Sequence, residues 1–203
     1  MVRIDHFRGF ESYYAIPARD KTAVNGVWRK GPGTAFIDVI RRNLPHVRII
    51  AEDLGYLTDD VKALLRASGF PGMKVLQFAF DSREESDYLP HNYTQNSVVY
   101  TGTHDNTTTA DWELSAPDVA FARRYLDVEG DADFTRRFIR AALASVSDTA
   151  VIPMPDWLGL GAEARINTPS TLGGNWLWRM DPAALTDALA ADILALTKLY
   201  GRC

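Results

Sequence analysis

Residues 47–72 read VRIIAEDLGYLTDDVKALLRASGFPG, and their order decides the fold. Val47–Ala51 is short, nearly all apolar and β-branched, the pattern of a parallel strand covered on both faces. Glu52 and Asp53 break the run. Thr58 then stands in an N-cap position, Val61, Leu64 and Leu65 form an apolar stripe behind it, and Gly69 and Pro71 end the helix. Strand, acidic loop and helix together make one βα unit. In a β/α barrel, chemistry gathers at the C-terminal ends of the strands, which is where Glu52 stands.

The same rhythm extends in both directions. Further strand-like runs occur at Met1–Ile4, Lys74–Ala79, Val98–Thr101 and Ala150–Pro153. Helical patterns lie between them. Ala35–Asn43 sets Phe36, Ile37, Ile40 and Leu44 on one stripe. Pro117–Asp127 is a second candidate, and Asp131–Ser147 a third, with Phe134, Phe138 and Ala142 at helical spacing. Asp181 and Pro182 open a last helix that carries Leu185, Leu189, Ile193 and Leu196 inward and stops near Gly201. Five strands are too few to close an eight-stranded barrel. The expectation is therefore an α/β chain in which residues 1–203 form one partial catalytic barrel domain whose N-terminal strands are absent. The chain also opens inside an apolar strand, as a segment of a longer protein would.

Composition narrows the function classes. With 203 residues, 46% of them hydrophobic, the chain can bury a sizeable core. A net charge of −4 without a basic run argues against nucleic acid or an anionic membrane as partner. No apolar stretch approaches the roughly 18 residues of a membrane helix. The single cysteine, Cys203, cannot form an internal disulfide, which fits a reducing compartment. The histidines show no metal-ligand spacing and no Gly-Lys-Ser/Thr phosphate loop is present, so neither a metal nor a cofactor is expected.

Three acidic stretches follow strands: Ile4-Asp5-His6, Ala51-Glu52-Asp53 and His104-Asp105-Asn106. Alternation puts Arg3 on the same face as Asp5, and a neighbouring guanidinium favours the ionised carboxylate that a nucleophile needs. A structural ion pair reads the same way. Glu52, at the edge of an apolar run, suits a general acid, or it simply begins a polar loop. His104 and Asp105 can both hydrogen-bond sugar hydroxyls, although a satisfied loop histidine is the commoner case. Among the aromatics, Trp28 and Trp112 have polar sequence surroundings and are the better surface candidates. Flat rings exposed in this way pack against the apolar faces of pyranoses, while most large aromatics belong to the core.

Six segments together resemble the amylomaltase family, the 4-α-glucanotransferases also called disproportionating enzymes or D-enzymes. They are VRIDHFRGFESYYAIPAR (2–19), TAVNGVWRKGPG (22–33), IIAEDLGYLT (49–58), GFPGMKVLQFAF (69–80), YLPHNYTQNSVVYTGTHDN (88–106) and ARINTPSTLGGNWLWR (164–179). The resemblance implies strands 4 to 8 of a (β/α)8 TIM barrel of the α-amylase superfamily. It implies Asp5 as nucleophile, Glu52 as general acid/base and Asp105 as transition-state stabiliser. Arg3 and His104 would hold the donor sugar, Asp53 and Phe78 would shape the cleft, and Asn167 would line it. The implied partners are an α-1,4-glucan donor (maltooligosaccharide, starch or glycogen) and a glucose or glucan acceptor, together with the missing N-terminal part of the barrel. The implied location is the cytoplasm, or a plastid. Two other readings stay open: a fragment that is non-catalytic in isolation, and a retaining α-glucan hydrolase. Ile166 and Ser170 stand where the family often has Met and Gly, and Thr107 where an acidic residue is frequent.

Overall fold

The computed structural model describes residues 1–83, 85–129 and 133–203. They divide into two compact units, Met1–Met73 and Lys74–Cys203.

In the first unit, β1 (Val2–Ile4) leads into a 3-10 turn at Phe7–Phe10, and β2 (Ser12–Ala15) and β3 (Val27–Lys30) follow. Next come α1 (Thr34–Asn43), β4 (Ile49–Ala51) and α2 (Asp59–Ser68). β1 and β4 pair in parallel with Ile4 opposite Ala51, so their two acidic loops leave the same edge side by side. α2 is capped as its sequence requires. The Thr58 hydroxyl accepts from Val61 N–H at 3.4 Å, and Gly69 closes the helix at φ +63°. Phe7, Ile37, Ala51 and Leu64 form the core, and Phe10 stacks on Phe36 with ring centres 4.4 Å apart. Leu44 departs from the expected stripe. It ends α1 with a non-helical backbone and is exposed.

In the second unit, β5 (Gly72–Val75, which begins at the end of the first unit), β6 (Ser97–Tyr100) and β7 (Thr149–Val151) form one sheet in that order, with β6 and β7 parallel. The helices are α3 (Thr109–Ser115), α4 (Val119–Tyr125), α5 (Phe134–Ala144), α6 (Met154–Trp157) and α7 (Asp187–Leu199). Phe80, Phe134, Phe138 and Ala142 sit in the main core. Trp112 packs there as well, its ring stacked on Phe134 at 5.9 Å, so it is not the surface aromatic its neighbours suggested. Of the expected strand over Lys74–Ala79, only Lys74 and Val75 are strand. Leu76–Phe78 turns into a 3-10 helix, because buried Gln77 gives its N–H to Thr101 O and its side-chain amide to Thr107 O. The last helix begins later than expected. Thr186 rather than Asp181 caps α7, Pro182–Ala184 forms a separate 3-10 turn, and Leu185 is exposed. The start proposed for the third helix, at Asp131, lies outside the described residues, and the described helix is capped by Asp133.

Free carbonyls at the end of α5 are a liability that the chain terminus removes. The Arg202 guanidinium donates to the carbonyls of Leu143, Ser145 and Ser147 at 2.6–2.9 Å. Burial there pushes the Arg202 pKa down from its usual value. The architecture is thus α/β with parallel and antiparallel pairing, and among the described residues its sheets do not close into a barrel.

Candidate functional site

The loops that leave β1 and β4 hold Asp5 and Glu52. Arg3 and Asp5 pair at 3.0 Å, the Asp5 side chain being 75% exposed. The other Arg3 amino group lies 3.9 Å from Met73 Sδ. The two loops are stitched together by hydrogen bonds. Glu52 N–H donates to Ile4 O and Phe7 N–H to Glu52 O, each at 2.9 Å. His6 N–H donates to Glu52 Oε2 at 2.6 Å, and Leu54 N–H to Glu52 Oε1 at 2.8 Å. Both carboxylate oxygens of Glu52 are thereby oriented by main-chain donors. His6 reaches this position in a left-handed conformation (φ 48°, ψ 50°), which is uncommon for a residue other than glycine. Such local strain is typical of places where geometry is imposed on the chain.

Asp53 turns away from Glu52. It is buried, and its Oδ1 accepts from Met73 N–H at 2.6 Å. Gly72 makes this fit possible: a Cβ there would stand 2.5 Å from Asp53 Oδ2. What Asp53 does in this unit is fix the start of β5.

In the second unit the residues Gly102–Thr108, between β6 and α3, carry His104 and Asp105. His104 Nε2 is 3.3 Å from Asp105 Oδ1, and Asn167 Nδ2 donates to that same oxygen at 2.6 Å. Asn167 N–H donates to His104 O at 3.1 Å, so the two segments clasp each other through backbone as well as side chains. The ring of Trp176 lies 5.2 Å from that of His104, tilted by 33°. Phe78, half-exposed, meets Tyr88 edge-on at 5.6 Å.

Two supports escaped the sequence reading. Arg165 donates to Asp105 O at 2.9 Å and to Asn167 O at 3.0 Å, bridging both segments. Asp156 is buried and accepts from Thr101 Oγ1 (2.5 Å), Thr109 Oγ1 (2.9 Å) and Thr109 N–H (2.8 Å), anchoring both ends of the loop that bears Asp105. Asp156 lies within an apolar helix turn, Met154–Trp157, which carries no catalytic signature. Only tertiary structure reveals its partners. Arg165, by contrast, lies in a quoted segment, two residues before Asn167, and could have been suspected from that spacing.

Thus Arg3, Asp5 and Glu52 come together in one unit, and His104, Asp105 and Asn167 in the other. Among the described residues no cluster of three or more His, Cys, Asp or Glu is placed to hold a metal ion, and no helix is long and apolar enough to cross a membrane.

A family model described as 4-alpha-glucanotransferase matches residues 1–186. The chain belongs to the 4-α-glucanotransferase family. It is similar to the 4-alpha-glucanotransferase of Clostridium butyricum, at 46% identity over 206 residues that cover 100% of this chain and 42% of that protein. It is 45% identical to the chloroplastic/amyloplastic 4-alpha-glucanotransferase of Arabidopsis thaliana, over 98% of this chain and 36% of the relative. In three dimensions it resembles the amylomaltase from Streptococcus agalactiae solved in complex with acarbose, with a TM-score of 0.91 and 39% identity over 98% of this chain and 41% of that one. The chain therefore spans well under half the length of these relatives. The family includes a plastid protein, so membership alone does not assign one compartment. Within this 4-α-glucanotransferase segment Ser170 adopts φ +63°, a conformation that glycine would hold more easily.

Proposed function

We propose that this chain supplies the reacting carboxylates of a retaining 4-α-glucanotransferase acting on α-1,4-glucans. In this reading residues 1–203 belong to one catalytic barrel domain, with β1, β4, β5, β6 and β7 as its strands 4 to 8. The observation that carries the reading is the His6 N–H bond to Glu52 Oε2 at 2.6 Å. It ties the carboxylate-bearing ends of two paired parallel strands together, as double displacement at one anomeric carbon needs.

Asp5, paired with Arg3, is the nucleophile. Its carboxylate attacks the anomeric carbon while Glu52 gives its proton to the departing glycosidic oxygen. This breaks the glycosidic bond and forms a glucosyl ester on Asp5. Glu52, now a base, takes the proton from the 4-hydroxyl of glucose or another glucan, which attacks the same carbon and frees Asp5. The two inversions give net retention, a mechanism that works with carboxyl groups about 5–5.5 Å apart. Asp105, held by Asn167 and His104, stabilises positive charge developing on the ring. Arg3 and His104 contact the donor sugar, Phe78 and Asn167 border the cleft, and Asp53 acts from behind Glu52 by fixing the backbone. No step calls for a metal or cofactor. A cytoplasmic or plastid location suits glucan substrates equally.

One observation favours a second reading for the chain by itself. The Asp5 side chain is 75% exposed and that of Asp105 47%, whereas transfer to sugar rather than water demands a cleft from which water is excluded. In isolation, the chain is then a non-catalytic fragment. Maltotriose distinguishes the cases when incubated with this chain, with the longer protein, and with the longer protein carrying Asp5→Ala. Longer maltodextrins plus glucose from the longer protein, abolished by Asp5→Ala, are the expected result. Exclusively shorter products would indicate a hydrolase, and undiminished transfer by the variant would remove Asp5 from its role.

A further inference from the structure

Beside Asp5 and Glu52, the first unit carries an open groove of about 450 Å³ along the β2–β3 hairpin and the later part of the loop between β4 and α2. Trp28 and Tyr56 line it and are 60% and 81% exposed. Single exposed aromatics are ordinary on protein surfaces, so exposure alone decides nothing. Here, however, the indole is held in place from beneath and from the side. The Arg8 guanidinium lies 4.9 Å from the Trp28 ring centre and is itself anchored by donating to Tyr56 O at 2.7 Å. The Tyr14 ring meets Trp28 at 5.4 Å in an edge-on arrangement. Tyr14 in turn lies flush on Gly26, where a Cβ would come within 2.2 Å of its ring. At the other end of the hairpin, a Cβ on Gly31 would meet Phe10 O at 2.4 Å. The hairpin is thus seated too closely to tolerate side chains at its two glycines, and it presents a pre-set indole.

The rim of the groove selects the kind of ligand. Lys30 bridges Glu11 and Asp60, so charges of both signs neutralise one another beside an apolar plate. A polyanion would meet Glu11 and Asp60 beside the cations Arg8, Arg29 and Lys30. Of these, Lys30 is already paired with both carboxylates and Arg8 is engaged by Tyr56 O and the Trp28 ring. A purely apolar chain would strip water from the ions without replacing its hydrogen bonds. A neutral polyol with one apolar face and many hydroxyls satisfies both surfaces. The groove also continues the segments that carry Asp5 and Glu52, since Arg8 follows the one and Tyr56 the other, and the Arg8–Tyr56 bond extends the stitching that begins at His6 and Glu52.

From this geometry we infer that Trp28, backed by Arg8 and Tyr14, is a stacking platform for a pyranose unit of a neutral α-glucan, beyond the units at the reacting bond. The inference rests on the glucan-transfer reading for the identity of the sugar.

Titration calorimetry of this chain with maltoheptaose tests it, using the unaltered protein, Trp28→Ala and Trp28→Phe, with circular dichroism to verify equal folding. Loss of ring stacking weakens binding about fivefold in Trp28→Ala, and Trp28→Phe recovers part of it. Cellohexaose, whose flat β-linked chain presents its rings differently, serves as the control sugar. Equal affinity for Trp28→Ala and the unaltered chain overturns the platform, as does absence of binding by the unaltered chain. Full protection of Trp28 from acrylamide quenching in the longer protein also overturns it, because protein would then fill the groove. The transfer reading fails separately. If Trp28→Ala weakens binding while Asp5→Ala in the longer protein leaves transfer intact, the platform survives and the catalytic roles fall. The reverse pattern removes the platform alone.

Discussion

Removing the carboxylate of Asp156 is expected to be among the most damaging single changes to the second unit, because it is buried and bonded at both ends of the loop that bears Asp105. Asp156 accepts three hydrogen bonds, from Thr101 Oγ1, Thr109 Oγ1 and Thr109 N–H, and Thr101 and Thr109 are fully buried. Hydrogen bonds to a charged group contribute about 1.5–3 kcal/mol each, and a buried donor left without an acceptor costs about 1–3 kcal/mol. These terms overlap, because the same bonds are counted from both ends. A combined cost of about 4 kcal/mol for Asp156→Ala is therefore a fair expectation. For a chain of this size each kcal/mol lowers the melting midpoint by about 2–4 °C, so the variant should melt roughly 8–16 °C lower.

Asp156→Asn separates shape from charge. Its one remaining carbonyl oxygen can keep the Thr109 N–H bond, and the Thr101 hydroxyl can rotate to accept from the new amide. A loss of about half that of the alanine variant is expected. Urea unfolding followed by circular dichroism gives the energies, and amide exchange in residues 102–108 reports whether the Asp105 loop loosens with them. The reasoning fails if Asp156→Ala stays within about 1 kcal/mol of the parent. It fails too if Asp156→Asn and Asp156→Ala are equally damaging, because the acceptor count would then not be what matters.

Two further changes probe the units, one in each. Gly72→Ala would put a methyl group 2.5 Å from Asp53 Oδ2, displacing the carboxylate from Met73 N–H. A loss of about 1–3 kcal/mol in urea unfolding is expected, and a neutral result would mean that Asp53 moves freely. Hydrogen bonding to Arg136 holds the Asp192 pKa below its ordinary 3.8 and ties α5 to α7. A depressed carboxylate stabilises the fold above its ordinary pKa and loses that contribution as pH falls through the lowered value. Melting midpoints followed from about pH 5 down to pH 2 should fall less steeply in Asp192→Asn than in the parent, whereas parallel curves would show that the pair contributes nothing.

Legibility in the sequence followed the range of the forces involved. The cap at Thr58, the stop at Gly69 and the Phe134–Phe138–Ala142 stripe are local, and each appears where its sequence places it. Ile4-Asp5 and Ala51-Glu52 were visible as strand ends because a parallel strand announces itself by its apolar run. Leu76–Phe78 was misread because an apolar run does not distinguish a strand from a buried turn, and the Gln77 bonds that decide the matter reach across to Thr101 and Thr107. Trp112 was misplaced for the same reason. Its polar neighbours in sequence face elsewhere, and Phe134 and Phe138 cover its ring. The β2–β3 hairpin is harder to read, because residues 16–26 separate its strands and the Asn25-Gly26 pair stands at the foot of β3 rather than forming a two-residue link between adjoining strands. Asp156 lies furthest from view, since its partners Thr101 and Thr109 are 55 and 47 residues away in sequence.

The positioned groups differ in how much of their environment the chain provides for itself. Glu52 has both oxygens fixed by main-chain donors from its own unit, and Asp105 is held by Asn167 and His104 within the other. Orientation is therefore encoded locally. Dielectric is not. Charges that face bulk water interact at about 1 kcal/mol where the same pair in a dry cleft reaches several times that, and the Asp5 side chain is three-quarters exposed. A carboxylate so solvated is a poor nucleophile for a sugar, because its hydration must be removed before it can attack. Under the proposed transfer, a chain that spans 42% of a related transferase thus orients Glu52 and Asp105 while leaving Asp5 open to water. If the proposed transfer holds, it should rise when the surroundings of Asp5 become drier while its hydrogen bond to Arg3 is unchanged.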